Sequence, residues 1–96
     1  MTQKTRTTDH VTIERPDATQ LEALQVTSWP IWTKEASTFD WHYDEPETCY
    51  FLEGEVIVKT SQGEITVRQG DLVTFPKGLD CTWQVNQAVR KHYRFG

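Results

Sequence analysis

The sequence has no apolar run approaching the ~20 residues of a bilayer-spanning helix, so no membrane partner is expected. It has only two cysteines, Cys49 and Cys81, too few for a disulfide framework. Free thiols in a reducing compartment are the expectation. Basic residues are also in the minority, 10 Lys and Arg against 14 Asp and Glu, for a formal net charge of −4. A basic stripe is missing apart from Arg90, Lys91, His92 and Arg94, which read as a solvated strand end. No nucleic-acid partner is expected. The stretch Met1–Asp9 is polar and lacks the apolar region of a secretory signal. It reads as a flexible tail over residues 1–9 of a cytoplasmic protein. No internal repeat, low-complexity segment or linker breaks the rest, so residues 10–96 are expected as one domain.

What the chain does have is aromatic bulk: four Trp, four Phe and three Tyr, each able to bury a large area. Helical signals occur once. Asp17 is a candidate N-cap, Gln20 stands three residues later as in a capping box, and Leu21 and Leu24 form one apolar side. A helix of two turns at most follows, expected to pack as a lid or flap. From Ile31 onward the pattern is short strands and turns. Thr48–Leu52 ends at Gly54, and Glu55–Thr60 returns through Ser61-Gln62-Gly63 as Glu64–Val67, a hairpin. Leu72–Phe75, Cys81–Val85 and Val89–Phe95 complete the set, the last two joined around Asn86-Gln87. Many short strands without alternating helices predict an all-β sandwich or barrel.

Two spacings are more specific. Glu47 is followed by six residues and Gly54; Gly70 is followed by five residues, Pro76-x-Gly78, two residues and Cys81. These resemble the two motifs of the cupin superfamily, which implies a single cupin (RmlC-like jelly-roll) β-barrel with a short N-terminal helix. Trp29-Pro30-Ile31-Trp32, Phe39-Asp40-Trp41, Glu47-Thr48-Cys49-Tyr50 and Gly70–Gly78 are similar to the small single-domain cupins related to (S)-ureidoglycine aminohydrolase. In metal-bearing cupins, two His and a Glu of the first motif and a His of the second hold one divalent ion. Carried over, the resemblance puts Glu47 at the glutamate, His42 at the second histidine, Asp40 at the first and Cys81 at the last. His42, Glu47 and Cys81 are then the implied metal ligands, for zinc, iron or manganese, with Asp40 beside them. The alternative is a polar-walled pocket with no ion, in which Cys81 is a small buried apolar residue.

Strand alternation fills out the pocket. If Glu47 faces inward, so do Cys49 and Phe51, and Trp83 follows Cys81 inward. Lys91 and Tyr93 share a face of the last strand and are the candidate catalytic pair, orienting a ligand or moving a proton near Glu47. Trp29, Trp32 and Trp41 read as core or interface, with a cage for a planar ligand as the alternative. Three functions stand against each other at this point. The first is a metal-assisted enzyme on a small nitrogen-containing metabolite, of the ureidoglycine aminohydrolase type. The second is a non-catalytic domain that binds or senses a small molecule in the barrel. The third is a homodimer-forming module with a vestigial pocket.

Overall fold

A computed structural model describes the backbone of Thr5–Thr8 and the whole of residues 11–96. Eight strands and one α-helix follow in the order β1 (Thr5–Thr8), β2 (Val11–Glu14), α1 (Ala18–Leu24), β3 (Ile31–Lys34), β4 (Ser37–His42), β5 (Glu47–Thr60), β6 (Gly63–Arg68), β7 (Leu72–Phe75) and β8 (Asp80–Phe95). Part of the expected flexible tail is therefore a strand: β1 pairs antiparallel with β2, Thr5 opposite Glu14 through Thr8 opposite Val11. The other residues of that tail lie outside the described residues. Among the described residues no helix is long and apolar enough to cross a membrane.

The expected all-β cupin barrel is what the chain forms, but with longer strands than the turn signals imply. Gly54 and Asn86-Gln87, read as breaks, lie inside the continuous strands β5 and β8. These two pair along their whole lengths, with register irregularities between Phe51 and Val56. The reason is that an irregularity bends a strand without ending its ladder. Each long strand thereby takes different neighbours on the two sides of its bend within one eight-stranded sheet. The first part of β5 pairs with β7 and its second part with β6. The first part of β8 pairs with β4 and its second part with β3. The interior between them is filled by alternate residues, including Phe51, Val56, Val58, Val67, Phe75, Trp83 and Val85.

Asp71 supports the β6–β7 corner from within. It is buried, its Oδ1 accepts from Arg15 Nη1 at 2.8 Å, and its Oδ2 accepts from the Arg68 backbone N–H at 2.8 Å. A carboxylate that is both hydrogen-bonded and paired bears its desolvation. The helix begins as expected, with Asp17 Oδ1 accepting from Gln20 N–H at 2.9 Å. It is no lid over the barrel. Leu21 and Leu24 pack with Val26, Trp29, Leu72 and Tyr50, a second cluster on the outer side of the sheet.

Candidate functional site

In the first part of β5, burial alternates so that Glu47, Cys49 and Phe51 point inward and Thr48, Tyr50 and Leu52 outward. Opposite them on β8 stand Phe95, Tyr93 and Lys91, and Trp32 of β3 faces Lys91 from the other side. Residues opposite one another share a face, so Lys91 is aimed along the barrel wall at Glu47. Its Nζ donates to Glu47 Oε2 at 2.7 Å and to Cys49 Sγ at 3.1 Å. The Cys49 thiol donates to the same Oε2 at 2.8 Å. Glu47 and Lys91 are only 5 % and 4 % exposed. The ammonium also stands 4.9 Å from the ring centres of both Trp32 and Trp83 and 5.9 Å from that of Phe51. Aromatic faces attract a cation at such distances.

Protonation follows from burial and from the pair. Burial works to discharge Lys91, but Cys49 and Glu47 oppose it and hold the ammonium above the ordinary lysine value. Burial pushes the Cys49 thiol far above its usual range, so near neutral pH Cys49 is a thiol and Glu47 supplies the countercharge. Burial, with Asp80 adding to it, pushes Cys81 up to about 11. Tyr43 is also raised, chiefly by burial. For the thiols the unfolded chain loses protons from about pH 8.5 while the native chain keeps them. The native state then binds more protons, and stability falls as pH rises. A loss on the order of 2 kcal/mol between pH 7 and pH 10 is expected from Cys49 alone in urea titrations, with a smaller share from the less enclosed Cys81, and Cys49→Ala should remove the larger part of that slope. A flat profile across this range would contradict the buried-thiol assignment.

Above the ion pair lies a cavity of about 180 Å³ with mostly aromatic walls. Trp32 comes from β3, Phe39 and Trp41 from β4, Tyr43 from just beyond it, and Trp83, Tyr93 and Phe95 from β8. Phe39 lies nearly parallel to Trp83, with centroids 6.0 Å apart and planes at 27°. Trp32 meets Trp83 edge-on at 5.8 Å. Trp83 Nε1 is the one buried side-chain polar atom without a hydrogen-bond partner among the described residues, although Tyr43 and Cys81 stand close enough to feel it. Trp41 and Phe95 are about half exposed and form the mouth.

The residues expected here divide. Glu47, Lys91, Tyr93 and Trp83 line the cavity, with Cys49 and Phe51 buried in the barrel wall beside Lys91. Asp40 and His42 are on the outside, which corrects their placement beside Glu47. Phe39, Trp41 and Tyr43 take the inward positions of that stretch, so the residues between them must face solvent. Asp40 accepts from Thr82 Oγ1 at 2.7 Å, and His42 Nδ1 lies 2.6 Å from Asp80 Oδ1, all at the exposed surface. Cys81, opposite Trp41, is buried, with its Sγ 3.7 Å from the Trp41 carbonyl.

His42, Glu47 and Cys81 therefore do not converge, and among the described residues no group of three or more His, Cys, Asp or Glu is placed to hold a metal ion. The donor set does not fit the divalent ion that the motif alignment implied. Phe39 and Tyr43 were not anticipated in the pocket; Phe95 lines it on the face it shares with Lys91 and Tyr93, and Trp32 and Trp41 line it rather than serving only as core or interface. The alternation Phe39-x-Trp41-x-Tyr43 was the signal that could have revealed most of them.

Comparison with known proteins agrees with this architecture. Residues 21–93 match the family described as the EutQ-like cupin domain. A DUF861 family protein from Thermotoga maritima is 55% identical, with 90% of this chain and 99% of that one covered and a TM-score of 0.87. The EutQ protein of Clostridium difficile is 18% identical over 97% of this chain and 64% of its own, with a TM-score of 0.63. A cupin superfamily protein from Desulfitobacterium hafniense is 11% identical over 92% of this chain and 68% of its own, with a TM-score of 0.57. Likeness at the latter two identities shows the fold alone. No curated protein matches the chain.

Proposed function

The chain belongs to the EutQ-like cupin domain family, and from that premise we propose that it is a small-molecule-binding cupin whose pocket works through an ion pair and aromatic walls. The observation carrying this reading is the Lys91–Glu47 pair, 2.7 Å apart at the base of an aromatic cavity. Largely apolar concave sites with a few convergent polar groups are how proteins hold small molecules. The cavity of about 180 Å³ is smaller than the roughly 300–1,000 Å³ of drug-sized sites. Its occupant is accordingly a small metabolite. Binding without transformation fits the polar groups better than catalysis does. Lys91 is locked to Glu47 and Cys49 rather than left to exchange protons.

A metal-assisted hydrolase of the ureidoglycine aminohydrolase type would need His42, Glu47 and Cys81 to converge, yet His42 faces out and no such group forms among the described residues. The test is a screen of small polar metabolites against the intact protein, read by thermal shift, before and after treatment with a chelator. We expect at least one compound to raise the melting temperature equally in both samples and to be recovered unchanged. Stabilisation that vanishes with the chelator, or appearance of a product, would overturn the reading.

A further inference from the structure

The polar groups at the base of the pocket are incompletely used, and what they leave over defines a ligand. Lys91 has three N–H donors; one goes to Glu47 and one to Cys49. The third faces an environment of Trp32, Trp83 and Phe51 rings. Glu47 has two oxygens, and both of its hydrogen bonds from described residues fall on Oε2. Oε1 accepts none among the described residues. One donor and one acceptor are thus left over in a cavity that both residues line. Resting on the small-molecule reading above, we infer that the pocket is built for a neutral, flat ring bearing a cis-amide edge, a lactam. Its C=O accepts from Lys91 Nζ, its N–H donates to Glu47 Oε1, and its faces lie against the aromatic walls.

Neutrality follows from the pair. Lys91 and Glu47 cancel, and each is almost wholly buried. An anion would draw Lys91 away and strand the carboxylate. A cation would put a second positive charge on Glu47 beside the ammonium. Either leaves a buried charge uncompensated, which costs several kcal/mol in general. A lactam leaves the pair intact and uses only the spare donor and acceptor. Flatness follows from the lining: the cavity is only about 180 Å³ and seven of its nine lining side chains are aromatic, so a planar ring gains the most contact with it.

The probes are 2-pyridone, its N-methyl derivative, benzoate and benzylammonium, titrated into the full chain. The readout is the tryptophan indole N–H resonances in two-dimensional NMR. Trp32, Trp41 and Trp83 line the cavity, whereas Trp29 packs beneath the helix and serves as an internal control. 2-Pyridone should shift the pocket indoles, leave Trp29 in place, and bind about tenfold or more tightly than the other three, since N-methylation leaves a charged acceptor unpaired. In Glu47→Gln the penalty for N-methylation should shrink to about twofold or less, because the anionic acceptor is gone. The comparison within the unmodified protein stands even where that variant folds poorly. Equal or tighter binding of either ion, or no penalty for N-methylation, overturns the lactam assignment and leaves pocket binding intact. If none of the four moves the pocket indoles while a screened metabolite does, the assignment again falls alone. If neither the probes nor any screened metabolite moves them, both fall.

Discussion

Replacing Lys91 by Met is expected to destabilise the protein by about 3–5 kcal/mol, the usual consequence of removing one partner of a buried ion pair. Methionine fills nearly the same space, so little of this loss comes from a cavity. It comes from Glu47, which is 5 % exposed and would lose the ammonium at 2.7 Å. The thiol of Cys49 would remain as a neutral donor to Glu47 Oε2, too weak to offset an uncompensated charge. Lost contacts between the ammonium and the rings of Trp32 and Trp83 add roughly 0.5–2 kcal/mol. Urea denaturation of Lys91→Met, Glu47→Gln and the double variant forms a thermodynamic cycle. The double variant should be more stable than Lys91→Met alone, since it no longer buries a lone carboxylate. Should Lys91→Met unfold within about 1 kcal/mol of the parent, Glu47 would not be held as the buried partner of Lys91, and the ion pair that carries the proposed function would lose its support.

Replacing Gly54 by Ala is expected to cost about as much, for a backbone reason. Gly54 has φ +101°, and a Cβ there would stand 2.4 Å from the Ala88 carbonyl oxygen and 2.8 Å from Val89 Cα. Both neighbours are backbone of β8 at the point where the two long strands bend against each other. They cannot step aside without opening the ladder that places Lys91 opposite Phe51. Unfavourable φ alone costs about 1–3 kcal/mol, and the overlap raises the expected total to about 3–5 kcal/mol. Gly78→Ala supplies the control. It has φ +86° with nothing within 4 Å of the added Cβ, so it carries the conformational cost without the collision. Thermal and urea unfolding of the two variants should therefore differ by at least about 2 kcal/mol. Equal losses would mean that β5 and β8 are not held in close contact at the bend.

The site was legible in the sequence in an uneven way. Alternation along β5 and β8 brought Glu47, Cys49 and Phe51 together with Lys91 and Tyr93, because period-two patterns translate directly into faces once a strand is recognised. The same rule, applied to β4, places Asp40 and His42 outside. Motif alignment pulled them inward instead, and that alignment gave way to the aromatic residues on either side. Phe39, Trp41 and Tyr43 bury far more apolar surface than an aspartate and a histidine could repay by facing in. The helix shows the complementary case. Its start is written in Asp17 and Gln20, yet whether it covers the mouth or the outer sheet face depends on Trp29, Leu72 and Tyr50, which come from distant positions.

By itself the sequence determined the all-β class, the start of the helix, most turns and which residues of each long strand face the core. These are local properties, set by side-chain period, by capping and by where glycine permits positive φ. Tertiary structure alone decided that β5 and β8 run unbroken through their bends. It also decided that Lys91 meets Glu47 and Cys49, and that seven aromatic side chains close into one pocket. Those outcomes depend on register between strands dozens of residues apart, a sum over many weak pairings that no short stretch of sequence contains.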